Sequence, residues 1–158
     1  MEKDKSHLNR IQGIANYQFE EDIGRELFPD GVKITLSKKT GRARHVYLDG
    51  KLMATLRPTN GFFSLTINGA QRLSSLIKPP RFRVVVQKDV EEFIREGRNV
   101  FARHVVASDQ EIRPGEEVII TNEEDEVLAV GRALLTGREM LSFKRGVAVK
   151  VRRGSSEG

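Results

Sequence analysis

The stretch Leu76-Ile77-Lys78-Pro79-Pro80-Arg81-Phe82-Arg83-Val84-Val85-Val86 decides how the 158 residues divide. Its first two residues complete an apolar pattern of helical spacing with Ala70 and Leu73. Pro79-Pro80 then stops that helix, because a proline has no N–H to donate and restricts the residue before it to extended backbone. Phe82 to Val86 restarts the chain as a strand of β-branched residues. A helix ending on one side of a stiff joint and a strand beginning on the other predicts two domains, residues 1–80 and 81–153.

Toward the N-terminus, Leu8, Ile11, Ile14, Ala15, Phe19, Ile23 and Leu27 recur at spacings of three and four, which predicts helix from Ser6 to Phe28. Gly13 and Tyr17-Gln18-Phe19 are the places where it can break, and Pro29-Asp30-Gly31 ends it. Tyr17 and Phe19 read as core or interface residues rather than as stacking platforms. From Val32 the period changes to two. Strands are predicted at 32–36, 43–48, 51–56 and 61–65, with Lys38-Lys39-Thr40-Gly41-Arg42 as a hairpin tip and Asp49-Gly50 as a tight turn. Helix, antiparallel meander and helix make a small α+β domain.

Toward the C-terminus, Asp89 is expected to cap a helix through Glu91, Phe93 and Ile94 that Gly97 closes. Short strands follow at 100–102, 117–121, 127–134 and 147–152, with a short helix at 138–141. Strands so spaced, with little helix, predict a small barrel. Residues 154–158 read as a frayed tail.

Composition narrows the chemistry. No window approaches the roughly 20 apolar residues that a membrane span needs, and the charged first residues do not resemble an export signal. The absence of cysteine removes disulfides, thiolate zinc sites and a thiol nucleophile, and fits a cytoplasmic location. Net charge is +5. Glu116, Glu117, Glu123, Glu124, Asp125 and Glu126 form an acidic cluster, and Arg132, Arg138, Lys144, Arg145, Lys150, Arg152 and Arg153 follow it. Separated signs of this kind suit a surface that holds a phosphate backbone on one side and repels it on the other. His7, His45 and His104 are scattered, and neither a Walker loop nor a dinucleotide fingerprint occurs. No catalytic residue, metal or cofactor is expected.

From residue 82 to 153 the sequence resembles a PUA domain, a pseudo-barrel RNA-binding module. The resemblance is carried by Gly97-Arg98-Asn99-Val100-Phe101-Ala102, Ile112 to Val118, Val127 to Ala133, and Phe143 to Val151. The first half is similar to the domain that precedes PUA in archaeal tRNA-guanine transglycosylase, through Asn16 to Phe19, Glu26 to Pro29, Ser37 to Arg42, Arg44 to Gly50, Ala54 to Arg57, Asn60-Gly61 and Gly69 to Leu73. That enzyme exchanges a guanine in the tRNA D-loop for a precursor of archaeosine. Its chemistry lies on a barrel with an aspartate nucleophile and a zinc held by Cys and His, so none of its catalytic residues carries over.

The resemblance implies a tRNA-binding accessory subunit of a split transglycosylase, gripping the acceptor end and working with a separate catalytic chain. The alternative is a stand-alone PUA protein in ribosome assembly or translation. The family groove lies beside the glycine loop, the second strand and the last strand. There Gly97 would permit close backbone approach, the amides of Arg98 and Asn99 would bind phosphate, and Arg103 and His104 would add a charge and a stacking plane. Lys144, Arg145 and Gly146 precede the final strand. Phe101 reads either as a base platform or as core, and Arg132 either as a phosphate contact or as a strand-face charge. In the first half, Lys38, Lys39, Arg42 and Arg44 make a basic hairpin, with both arginines on one face.

Overall fold

The computed structural model describes residues 2–157, with side chains from Lys5 onward, and divides into compact units of residues 1–77 and 78–158. In the first unit, α1 (Glu2–Gln18) and α2 (Gly24–Leu27) precede β1 (Lys33–Leu36), β2 (Ala43–Leu48), β3 (Lys51–Leu56), β4 (Phe63–Leu65) and α3 (Ile67–Leu76). The four strands form an antiparallel meander in chain order.

Gly13 does not break α1. It faces open space, so its cost is only the propensity of one exposed residue. Gly24 is a glycine that the packing does need, since a Cβ there would strike the carbonyl of Gln12. Asn16 Oδ1 accepts from Gly24 N–H at 2.6 Å, and Gln12 Nε2 donates to the Phe28 carbonyl at 2.7 Å, which locks α2 against α1. Ile11, Ala15, Phe19, Phe28, Val46, Ala54, Phe63, Ala70 and Leu73 are among the buried residues of this unit's core. Phe19 is therefore core, as expected. Tyr17 is not: it is 82% exposed.

The second unit contains β5 (Arg83–Val86), α4 (Glu91–Arg95), β6 (Val100–Phe101), β7 (Val105–Ser108), β8 (Glu117–Thr121), β9 (Val127–Ala133), α5 (Gly137–Ser142) and β10 (Val147–Gly154). These form a nearly closed barrel in the order β6-β10-β9-β8-β5-β7, with β5 and β8 parallel and the other pairs antiparallel. Val84, Val86, Ile94, Val100, Ile112, Val118, Ile120, Leu128, Met140 and Val149 fill its core.

Three expectations change here. Asp89 lies within a 3₁₀ turn, Lys88–Val90, and neither that turn nor α4 has a side-chain cap. The helix with a true capping box is α5, where Thr136 accepts from Glu139 N–H and the Glu139 carboxylate accepts from Thr136 N–H. Strand β7 was missed, because Val105-Val106-Ala107-Ser108 is short and becomes a strand only by pairing with β5. The tail is also ordered. Gly154 is the buried last residue of β10, Ser155 N–H donates to the Leu128 carbonyl at 2.8 Å, and Ser156 N–H donates to the Arg95 carbonyl at 3.0 Å. The last residue of that expected tail, Gly158, lies outside the described residues.

The barrel entrance is fastened by Asp109, whose carboxylate is almost fully buried. It accepts from Phe82 N–H at 2.8 Å, Glu111 N–H at 3.0 Å and Arg81 Nη1 at 2.7 Å. Burial alone would push this carboxyl up, but the two amides and the Arg81 guanidinium outweigh it and hold it below its usual range. A lowered carboxyl contributes stability at pH values above its ordinary range and loses it as the pH falls through the lowered value. Asp109→Ala should therefore reduce the unfolding free energy by about 2–4 kcal/mol at pH 7 in urea denaturation. The gap between variant and parent should narrow as the pH drops below about 4.

Candidate nucleic-acid interface

The loop after α4 is occupied by the chain itself. Gly97 has φ +99°, and a Cβ there would collide with the Glu157 carboxylate. That carboxylate accepts from Gly154 N–H at 2.6 Å, while a Cβ on Gly154 would strike the Arg95 carbonyl. The two glycines let the C-terminal turn lie against the end of α4. The amides are used as well: Gly97 N–H donates to the Ile94 carbonyl at 2.9 Å and Arg98 N–H to the Phe93 carbonyl at 3.1 Å. Asn99 turns its Oδ1 to accept from Val151 N–H at 3.0 Å, fixing the edge of β10. Gly97 and the Arg98 amide thus do not offer the open phosphate loop that the sequence led us to expect. Arg98 keeps an exposed side chain, 5.6 Å above the Phe93 ring centroid.

The residues that do converge lie further along. Phe101 is 42% exposed, so it is a surface ring and not part of the core. The Arg103 guanidinium lies 5.6 Å from its centroid, and the His104 ring meets it edge-on with centroids 6.2 Å apart. Arg103 Nε donates to His104 Nε2 at 3.4 Å. Strand β6 joins this cluster to the second basic segment through its pairing with β10. Val147 of β10 is the register partner of Phe101, and Ala102 N–H donates to the Gly146 carbonyl at 3.0 Å. Lys144, Arg145 and Gly146 are exposed, and Gly146 has φ +96° with open space around it. Here an aromatic ring, an imidazole, three cations and an accessible backbone lie together. Such a set can stack a base and neutralise phosphates at once.

Arg132 is exposed on β9, with Lys150 and Glu117 as its register partners on the neighbouring strands. Glu117 is itself buried and takes a two-pronged ion pair from Arg152. The acidic cluster is also not a free repelling face. Asp125 holds Arg83, and Glu126 lies 3.3 Å from Arg95. Three of the six acids are thus paired with arginines, while Glu123 and Glu124 stay exposed. In the first unit, Lys38, Lys39, Arg42 and Arg44 are all exposed while Ala43 is buried, which is the alternation expected of that hairpin. Arg42 and Arg44, with Arg10 and Arg57, surround a cleft of about 390 Å³. Arg10 and Arg57 escaped the sequence reading, since no local pattern links residues so far apart. Among the described residues, no group of three or more His, Asp or Glu is placed to hold a metal ion, and no helix is long and apolar enough to cross a membrane.

Residues 82–155 match the PUA domain model. The second unit is thus a PUA domain. Residues 9–80 match the model described as patch-forming domain C2 of tRNA-guanine transglycosylase. The chain is 49% identical over 146 residues to the tRNA-guanine(15) transglycosylase of Thermococcus onnurineus, and 40% identical over 152 residues to that of Thermoplasma acidophilum. The first alignment covers 92% of this chain and 25% of the relative, and the second 96% and 24%. The chain therefore carries a C2 and a PUA domain similar to the C-terminal domains of tRNA-guanine(15) transglycosylases, and it spans about a quarter of the length of the curated relatives it matches. The fold as a whole also occurs in the crystal structure of a hypothetical protein from Pyrococcus horikoshii, with TM-score 0.77 and 24% identity, covering 97% of this chain and 92% of that one. A conserved PUA domain protein from Thermoplasma acidophilum aligns with TM-score 0.68 and 20% identity, covering 98% and 91%.

The Gly97 geometry separates two roles. If the glycine serves the C-terminal turn, Gly97→Ala should lower the unfolding free energy by about 1–3 kcal/mol, because a Cβ is disfavoured at that φ and collides with Glu157. RNA affinity of the folded variant should stay within about twofold, as read by filter binding. An affinity loss without a stability loss would return Gly97 to the ligand groove.

Proposed function

We propose that this chain is a tRNA-binding protein whose PUA unit grips the acceptor end through Phe101, Arg103, His104, Lys144, Arg145 and Gly146. The observation that carries the reading is the joining of Phe101 to the Lys144–Gly146 segment by the β6–β10 pairing. It places an exposed ring and cations around one accessible stretch of backbone. Unpaired terminal nucleotides present base faces that a duplex hides, and this surface suits them. Arg132 and Lys150 on the neighbouring strands would extend phosphate contact, as would the exposed Arg98 side chain, while Lys38, Lys39, Arg42 and Arg44 would steer the RNA body.

The likeness to the C-terminal domains of tRNA-guanine(15) transglycosylases supports an accessory role, with this chain presenting tRNA to a transglycosylase barrel carried on a separate polypeptide. A stand-alone RNA-binding role is favoured by a different observation: the same fold makes up 92% and 91% of the two structurally similar chains from Pyrococcus and Thermoplasma.

Removing the terminal CCA from tRNA should weaken binding by more than about tenfold, because the unpaired nucleotides are lost. Lys144→Glu with Arg145→Glu should abolish the difference between trimmed and intact tRNA while preserving the circular-dichroism spectrum, as exposed substitutions usually cost within about 0.5 kcal/mol. Equal binding of trimmed and intact tRNA by the parent chain would overturn the acceptor-end reading.

The accessory role is tested by reconstitution. The purified chain alone should not exchange labelled guanine into tRNA. Adding a separately expressed archaeal transglycosylase barrel should restore exchange, and the Lys144/Arg145 variant should reduce it. Exchange by the barrel that is indifferent to this chain would leave the stand-alone role.

A further inference from the structure

The first unit carries an exposed aromatic stack next to its arginine cleft. Arg10, Ile14 and Tyr17 follow at spacings of four and three and so share one stripe of α1. Arg10 and Ile14 line the cleft. Tyr17 stands about 4.5 Å further along the helix axis than Ile14. Its ring lies over that of Phe62, with centroids 5.9 Å apart and planes 8° from parallel. At 82% exposure, the face of Tyr17 turned away from Phe62 meets solvent.

The arrangement is held in place. Gln18 Nε2 donates to the Phe63 carbonyl at 2.9 Å, and Phe63 N–H donates to Gln18 Oε1 at 2.7 Å. These bonds bolt the last turn of α1 to the segment that carries Phe62. Arg57 on the same segment donates through Nη2 to the Phe63 carbonyl at 3.3 Å, which orients its guanidinium at the cleft wall. Four arginines and the hydroxyls of Thr40 and Thr59 line the cleft, with no carboxylate among the lining residues. Its volume of about 390 Å³ lies within the range of small-molecule sites, about 300–1,000 Å³.

Cations without acids select an anion, and guanidinium groups match the oxygens of a phosphate. A parallel aromatic platform one helical turn away selects a flat ring. We infer that the first unit holds one unpaired nucleotide of its RNA ligand, with the backbone phosphate in the arginine cleft and the base on the outer face of Tyr17. The spacing along α1 fits a base and phosphate of the same or adjacent nucleotides. This site rests on the RNA-binding reading but is independent of the acceptor-end groove. It gives Arg42 and Arg44 a positioned ligand in place of general steering.

The test uses the whole chain carrying Lys144→Glu and Arg145→Glu, so that the groove of the second unit is silenced. The probe is fluorescein-labelled tetra-adenylate RNA, read by anisotropy. In that background binding should persist. Tyr17→Leu should weaken it about tenfold, and Tyr17→Phe should restore it to within about twofold, since stacking needs the ring and not the hydroxyl. Arg42→Ala with Arg44→Ala should weaken it about tenfold and lower the log–log salt slope by about 0.7, the share of one single-strand phosphate. Adenosine monophosphate should compete far better than inorganic phosphate.

Unchanged affinity in Tyr17→Leu would overturn the inference and mark the ring as a protein-contact surface. Equal competition by inorganic phosphate would overturn it in favour of a bare anion site. Loss of all binding in the Lys144/Arg145 background would overturn this site and leave the groove standing. Full binding in that background, lost with Tyr17→Leu, would uphold this site and refute the groove.

Discussion

A buried guanidinium must find its own counter-charge, and the second unit is organised around one. Arg83 is only 1% exposed, inside strand β5. Its Nε and Nη2 donate to the two carboxylate oxygens of Asp125 at 3.1 and 3.0 Å, and its Nη1 donates to the Arg81 carbonyl at 3.0 Å. Removing one partner of such a pair generally costs about 3–5 kcal/mol, because the remaining charge stays buried. Asp125 is therefore tied to a single place. The turn that carries it adopts φ +63° there, and Asn122 Oδ1 caps it by accepting from the amides of Glu124 and Glu126. Once the turn is set, β8 lies parallel to β5 on one side and antiparallel to β9 on the other.

That constraint reaches the C-terminus. β9 pairs with β10, and β10 ends in Gly154, packed against the carbonyl of Arg95, whose side chain reaches Glu126 in the same acidic turn. The barrel thus closes on its own last residues at Gly97. The opposite end of β10 begins beside Phe101 and Gly146, both of which are exposed. A loop that resembles a ligand loop in sequence can be spent on closing the fold, and only the positions of neighbouring backbone distinguish the two uses.

Each unit presents the same physical combination by unrelated means. In the PUA domain, Phe101 lies beneath Arg103 and next to Lys144 and Arg145. In the C2 domain, Tyr17 lies on Phe62 beside the cleft of Arg10, Arg42, Arg44 and Arg57. A flat ring next to cations suits unpaired nucleic acid, since every base has a π-face and every nucleotide a phosphate. Elsewhere the basic residues do structural work: Arg83, Arg95 and Arg152 each neutralise an acid that the strand layout brings close.

Much of the architecture was legible in the residues themselves, because it rests on local rules. Period-two alternation marks β1 to β3, Pro79-Pro80 separates the last helix of one unit from the first strand of the next, and the order of the PUA segments in the sequence identifies that domain. The exposure of Arg42 and Arg44 around a buried Ala43 followed from the same alternation. Tertiary structure decided the rest. Strand β7 exists because β5 offers it an edge, Gly97 serves Glu157, and Glu117, Asp125 and Glu126 of the acidic cluster pair with arginines distant in sequence. Tyr17 is exposed although its helix is amphipathic, and Arg10 joins Arg57 at one cleft across 47 positions of sequence. Propensity and periodicity act over a few residues and are written in the chain. Which charge meets which, and which ring is left facing water, depends on contacts between distant segments and is settled only when they pack.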